Sequence, residues 1–126
     1  MQGNGYVYWN ELMTGDIEAS KAFYEKTVGW TFSSMPMSEG TYWVFSPPGS
    51  EQPAGGMMQF DQGPTNTWFT YVQIDDLDGA LAKVAAAGGT IQRQPFEIEG
   101  VGRIAIVTDA TGATLGWITP VSPPTT

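Results

Sequence analysis

The chain has 126 residues, 41% of them hydrophobic and 14% charged, with 13 acidic against five basic side chains and a net charge of −8. That composition is globular and excludes a disordered chain. It contains neither Cys nor His, which removes disulfides, thiol nucleophiles, Ser-His-Asp triads and the commonest metal ligands.

The acidic balance argues against nucleic acid, which needs a basic footprint. No apolar run approaches the roughly 20 residues of a membrane span. The first residues, Met1-Gln2-Gly3-Asn4, lack the basic and apolar regions of a signal peptide, so a cytoplasmic location is the expectation.

In chain order, residues 7–13 read as a strand, with Trp9, Glu11 and Met13 on one face and Tyr8, Asn10 and Leu12 on the other. Asp16 is an N-cap for a helix from Ile17, with Ile17, Ser20, Phe23, Tyr24, Thr27 and Val28 at helical spacing and Gly29 as its stop. Short strands follow at 30–34, 42–46 and 55–60. Residues 61–66, with Gly63-Pro64, form a linker. A strand at 68–74 precedes Asp76, a second N-cap, and a helix over 77–87 that turns Leu77, Ala80, Leu81 and Val84 inward. Strands at 90–94, 103–108 and 113–119 complete the order, and a Pro-rich tail over 121–126 is expected to be mobile.

This order is a repeat. Asp16-Ile17-Glu18 returns sixty positions later as Asp76-Leu77-Asp78, Gly29 as Gly89, Trp9 as Phe69 and Gly56 as Gly116. Such a period means two copies of one supersecondary unit. Here each copy is βαβββ, the first over about 5–60 and the second over about 67–120. Neither buries its helix and sheet alone, so the expected fold is α+β: one domain over 1–126 with a mixed sheet of about eight strands, curled around a cleft, helices outside.

Three groups of residues carry a resemblance: Glu11-Leu12 with Thr14-Gly15-Asp16; Ala22-Phe23-Tyr24 with Val28-Gly29-Trp30; and the turn Asp109-Ala110-Thr111-Gly112-Ala113. With the second helix entry, Ile74-Asp75-Asp76-Leu77, the chain resembles the vicinal oxygen chelate superfamily of glyoxalase I, bleomycin-resistance proteins and extradiol dioxygenases, over about residues 7–120. The resemblance assigns metal ligands to four positions, which here hold Trp9, Gly56, Phe69 and Gly116. None supplies a side-chain donor atom, so no metal and no cofactor is expected.

By the period of two, Glu11, Tyr71 and Gln73 share the concave side with Trp9 and Phe69. These five are the main candidates for binding a flat organic molecule by stacking and orienting hydrogen bonds, with Trp43, Phe45, Met58 and Arg103 at the rim. Gly56 and Gly116 would open space there. Alternatively, Trp9 and Phe69 fill the sheet interface as a second core, and Glu11 is paired with Arg103 or Tyr71 as a structural anchor.

Three functions are open. The first is a metal-free protein binding a small aromatic or hydrophobic molecule in the inter-module cleft. The second is a lyase, isomerase or dioxygenase-type enzyme using Glu11 and other carboxylates. The third is a structural interaction module. The resemblance implies a homodimer, with ligand specificity set by loops around residues 34–40 and 94–102.

Overall fold

A computed structural model describes residues 3–37, 40–59, 66–98 and 101–121. The elements run β1 (Val7–Thr14), α1 (Ile17–Thr27), β2 (Thr31–Met37), β3 (Gly40–Ser46), β4 (Gly55–Gln59), β5 (Thr67–Gln73), α2 (Leu77–Leu81), β6 (Thr90–Ile98), β7 (Gly102–Thr108) and β8 (Thr114–Pro120). This is the βαβββ order twice. The fold is α+β, and its strands belong to one mixed eight-stranded sheet.

The chain divides into two compact units, Trp9–Phe69 and Thr70–Thr126 with Met1–Tyr8. In the first, the strand order is β2-β3-β4-β1. Strands β1 and β4 run parallel with Glu11 opposite Gly56, and the remaining neighbours are antiparallel. Leu12, Phe45 and Met57 form the buried core beneath α1, with Ile17, Tyr24, Trp30, Phe32 and Trp43 packed against them. Burying each such side chain is worth about 1.5–3 kcal/mol. Aromatic stacking orders this core: Trp30 lies on Phe45 at 3.9 Å and 13°, Tyr24 on Trp30 at 4.8 Å and 29°. Trp68 stands edge-on to all three rings.

Helix α1 starts where Asp16 accepts a hydrogen bond from the Ala19 amide at 3.1 Å. It stops at Gly29, φ +82°, whose amide and that of Val28 both donate to the Tyr24 carbonyl at 3.0 Å. Its inward stripe is narrower than the spacing predicts. Ile17, Ser20, Lys21 and Tyr24 are half-buried, whereas Phe23, one residue from Tyr24 and so about 100° around the helix, is 58% exposed.

The second unit repeats the plan as β5-β8-β7-β6. Strands β5 and β8 are parallel with Tyr71 opposite Gly116, each sixty positions from its counterpart in the Glu11–Gly56 pair. Leu77, Leu81, Val84, Ala105 and Val107 form its core. Residues 4–6 border the end of β5: the Gly5 amide donates to the Gln73 carbonyl at 2.7 Å and the Gln73 amide to that of Tyr6 at 2.9 Å.

Three expected boundaries differ. The regular second helix ends at Leu81 rather than Ala87, because the bonds of Lys83 and Val84 reach back three residues, to Ala80 and Leu81. Strands β2 and β6 are longer than the 30–34 and 90–94 readings, so most of the expected specificity loops is strand. Both strands carry a proline, Pro36 and Pro95, which an edge strand tolerates, and both lie at an edge. Pro120 ends β8. The tail from 122, the residues 60–65 of the expected linker and the hairpin tips 38–39 and 99–100 fall outside the described residues.

Candidate functional site

Strand alternation in the first unit separates two faces. Leu12, Trp43, Phe45 and Met57 turn toward α1. On the other face stand Glu11, Tyr42, Val44, Gly56 and Met58 by register, with Trp9 two residues before Glu11. Trp43 and Phe45, read as rim residues, therefore belong to the helix-side core. The Trp43 ring is covered by the Lys21 ammonium at 3.4 Å, and Phe45 is buried under Trp30. Trp9, Glu11 and Met58 remain together on the face read as concave.

On that face the candidate Trp9 meets a residue outside the candidate set, Tyr42. The Trp9 indole Nε1–H donates to the Tyr42 hydroxyl at 2.8 Å. The Tyr42 ring lies over Gly56, where a Cβ would overlap its hydroxyl, Cζ and Cε2. Gly56 thus does not leave an opening: its missing side chain admits the Tyr42 ring. The signal for this was available only in the pairing of β3 with β4, which sets Tyr42 opposite Met58, two residues from Gly56. Gly55 is required for a related reason, since a Cβ there would strike the Phe45 ring and the Asn10 carbonyl.

Glu11 is 7% exposed, one of two buried polar residues with Thr14 among those described. It stands opposite Gly56, and thus beside the strand position over which Tyr42 lies. Glu11 and Tyr42 both make further interactions. Among the described residues, no buried side-chain nitrogen or oxygen lacks a hydrogen-bond partner.

In the second unit, Tyr71 and Gln73 share a face with Gly116 and Ile118 by register. Phe69, two residues before Tyr71 on β5, is half-buried and belongs to the first unit. Arg103 lies on the other face of β7. Its alternation matches Ala105 and Val107, which pack under α2. Its guanidinium forks between Asp78 and Glu97, each at 3.1 Å. These carboxylates, Asp78 first, push its pKa above the ordinary Arg value. The two carboxylates are exposed, so this is a surface clamp holding α2 and β6 to β7.

The turn before β8 is pinned by another carboxylate. Asp109 Oδ1 accepts from the Thr111 amide and hydroxyl at 2.8 Å and from the Ala113 amide at 3.0 Å. These bonds, the Thr111 hydroxyl foremost, hold the Asp109 pKa below its ordinary value.

Comparison with known proteins decides the family. The model of the Glyoxalase/Bleomycin resistance protein/Dioxygenase superfamily matches residues 7–116. The chain belongs to this superfamily. Among relatives, CFP32 of Mycobacterium tuberculosis (strain CDC 1551 / Oshkosh), a protein named as a glyoxylase, is 38% identical over 116 residues, covering 92% of this chain and 44% of CFP32. The anthracycline biosynthesis protein DnrV of Streptomyces peucetius is 32% identical over 123 residues, covering 86% of this chain and 45% of DnrV. The chain therefore spans less than half the length of these relatives. A methylmalonyl-CoA epimerase from Mycobacterium tuberculosis shares the fold with a TM-score of 0.65 at 15% identity, over 97% of this chain and 94% of that one.

Superfamily membership raises the question of a metal. The four positions that the resemblance assigns to ligands hold Trp9, Gly56, Phe69 and Gly116. Trp9 commits its only polar hydrogen to Tyr42, and the space beside Gly56 is filled by the same ring. Among the described residues, no three acidic side chains converge into a group that could hold a metal ion. These residues do not fit a divalent cation.

Proposed function

We propose that the chain is a metal-independent binding protein for a small aromatic or hydrophobic molecule, held against the sheet face carrying Trp9, Glu11, Tyr42 and Met58. The observation that supports this most directly is the Trp9–Tyr42 pair laid over Gly56, with the buried Glu11 alongside. Two aromatic rings fixed by their own hydrogen bond form a rigid apolar wall, and a carboxylate beside it orients a polar substituent. By the sixty-residue repeat, Tyr71 is the counterpart of Glu11 in the second unit, where it shares a face with Gln73 and Gly116. The relation to DnrV, named as an anthracycline biosynthesis protein, agrees in chemistry, because an anthracycline contains a planar anthraquinone ring system. The homodimer and the cytoplasmic location inferred above are part of this proposal. Among the described residues no helix is long and apolar enough to cross a membrane.

The test is a thermal-shift and Trp-fluorescence screen of an anthracycline and a panel of planar aromatic metabolites. A ligand present at 100 times its Kd stabilises by about 2.7 kcal/mol. Such a ligand should lose most of its effect in Trp9→Ala. A panel without any stabilising member removes the support for this reading.

The burial of Glu11 favours one alternative: a general base in a metal-free isomerase or lyase, since a carboxylate held away from bulk water on a rigid strand is placed to take a proton from a bound molecule. In that case Glu11→Gln abolishes turnover and spares binding. Equal loss of both, or no turnover in the wild type, removes the alternative.

A further inference from the structure

The helix-side surface of the first unit carries a second feature that the sheet-face reading does not use. A groove of about 330 Å³ runs between α1 and the ends of β1 and β5, lined by Leu12, Thr14, Asp16, Phe23, Tyr24 and Trp68, among others. Its aromatic walls are unusually open for rings of this size: Phe23 is 58% and Trp68 41% exposed. They are held at fixed angles, Phe23 edge-on to Tyr24 at 5.0 Å and Tyr24 edge-on to Trp68 at 6.0 Å.

The polar end of the groove is equally ordered. Thr14 and Ser20 join hydroxyls at 2.8 Å, the Asp16 amide donates to the Thr14 hydroxyl at 3.0 Å, and Asn66 Oδ1 accepts from the Gly15 amide at 3.1 Å. Asp16 Oδ1 takes the Ala19 amide as the helix cap, and Oδ2 has no hydrogen-bond partner among the described residues. The nearest helix cation is engaged elsewhere, Lys21 lying over Trp43 and pairing with Glu18.

We infer that this groove is a binding site for a small organic ammonium ion, with Asp16 as counter-ion and Trp68, Tyr24 and Phe23 as the aromatic walls. A cation near a ring face is attracted by the ring quadrupole, most strongly for Trp. A carboxylate at the same opening adds a charge of the required sign, and the net charge of −8 draws cations toward the whole protein. A neutral molecule of equal shape gains the apolar contact alone, so charge is the property that separates this reading from a general greasy cleft.

The probe is choline, set against 3,3-dimethyl-1-butanol, its uncharged isostere, with binding followed by ligand-observed saturation-transfer NMR in every variant and by the Trp68 indole N–H shift in the wild type. The cation should bind about fivefold or more tightly than the alcohol. Asp16→Asn, which retains a good cap, should lower choline affinity by about fivefold while leaving the alcohol unchanged. Trp68→Ala should remove both responses, and Glu11→Gln neither. Equal binding of the two probes, undiminished choline binding in Asp16→Asn, or no response at Trp68 each overturns the inference.

Discussion

Replacing Gly56 with Ala tests whether the Tyr42 ring occupies the place of the missing side chain. A Cβ at 56 would overlap the Tyr42 hydroxyl, Cζ and Cε2, all ring-end atoms with Trp9 hydrogen-bonded to the hydroxyl. The ring must therefore swing away. Overpacking of this kind costs about 1–3 kcal/mol, and the loss of the Trp9–Tyr42 hydrogen bond adds about 0.5–1.5 kcal/mol. Gly56 does not have positive φ, so Ala adopts its backbone readily and recovers roughly 0.4–1 kcal/mol from the unfolded state. The net expectation is a destabilisation of about 1–3 kcal/mol. Urea unfolding measures it, with a lower midpoint at unchanged m-value. The decisive arm is a double-mutant cycle with Tyr42→Ala. Once the ring is gone, Gly56→Ala should cost less than about 0.5 kcal/mol, because the two residues are in contact and cannot act additively. The same cost with and without Tyr42 would falsify the argument that the ring fills this space.

Asp109 offers a pH test. Its folded pKa lies below the ordinary value, so its contribution to stability is complete above the unfolded pKa and lost as pH falls through the folded one. Asp109→Asn should therefore lower Tm most in the neutral region and converge with wild type as pH falls, flattening the acid limb; an unchanged acid limb counts against the turn's role. Asp16→Ala should cost about 1 kcal/mol by chemical denaturation, and Asp16→Asn a few tenths; equal costs would mean the cap is not the Asp16 side chain. Dialysis against EDTA should leave Tm unchanged, and added Zn²⁺ or Ni²⁺ should not raise it; a stoichiometric stabilisation by either would reinstate a metal site. The Arg103 fork is exposed, so Arg103→Lys should lower Tm slightly at low salt and converge with wild type at high salt.

The face assignments show where sequence reasoning holds and where it stops. Alternation along β1 places Glu11 and Leu12 on opposite sides, and the structure agrees, because an extended backbone points successive side chains to opposite faces whatever its partners. Trp43, Phe45 and Arg103 were misplaced for the opposite reason. Their alternation was readable, but which side of β3 or β7 meets the helix depends on pairing with β4 and β8. Phe23 has the spacing of an inward residue yet is largely exposed, since helical periodicity marks a stripe without setting its width.

The sixty-residue repeat, the two capping aspartates, the helix stop at Gly29 and the loss of donor atoms at the ligand positions are all decided by residue identity along the chain. They rest on local backbone preferences and on side-chain chemistry, neither of which requires a partner strand. The meaning of Gly56 was decided elsewhere. Only the antiparallel register of β3 on β4 brings the Tyr42 ring over that glycine and Trp9 to its hydroxyl. Likewise, only the packing of α1 on its strands gathers Asp16, Tyr24 and Trp68 around one groove. Long-range juxtaposition is a product of register and packing, and a chain read residue by residue contains the parts without their distances.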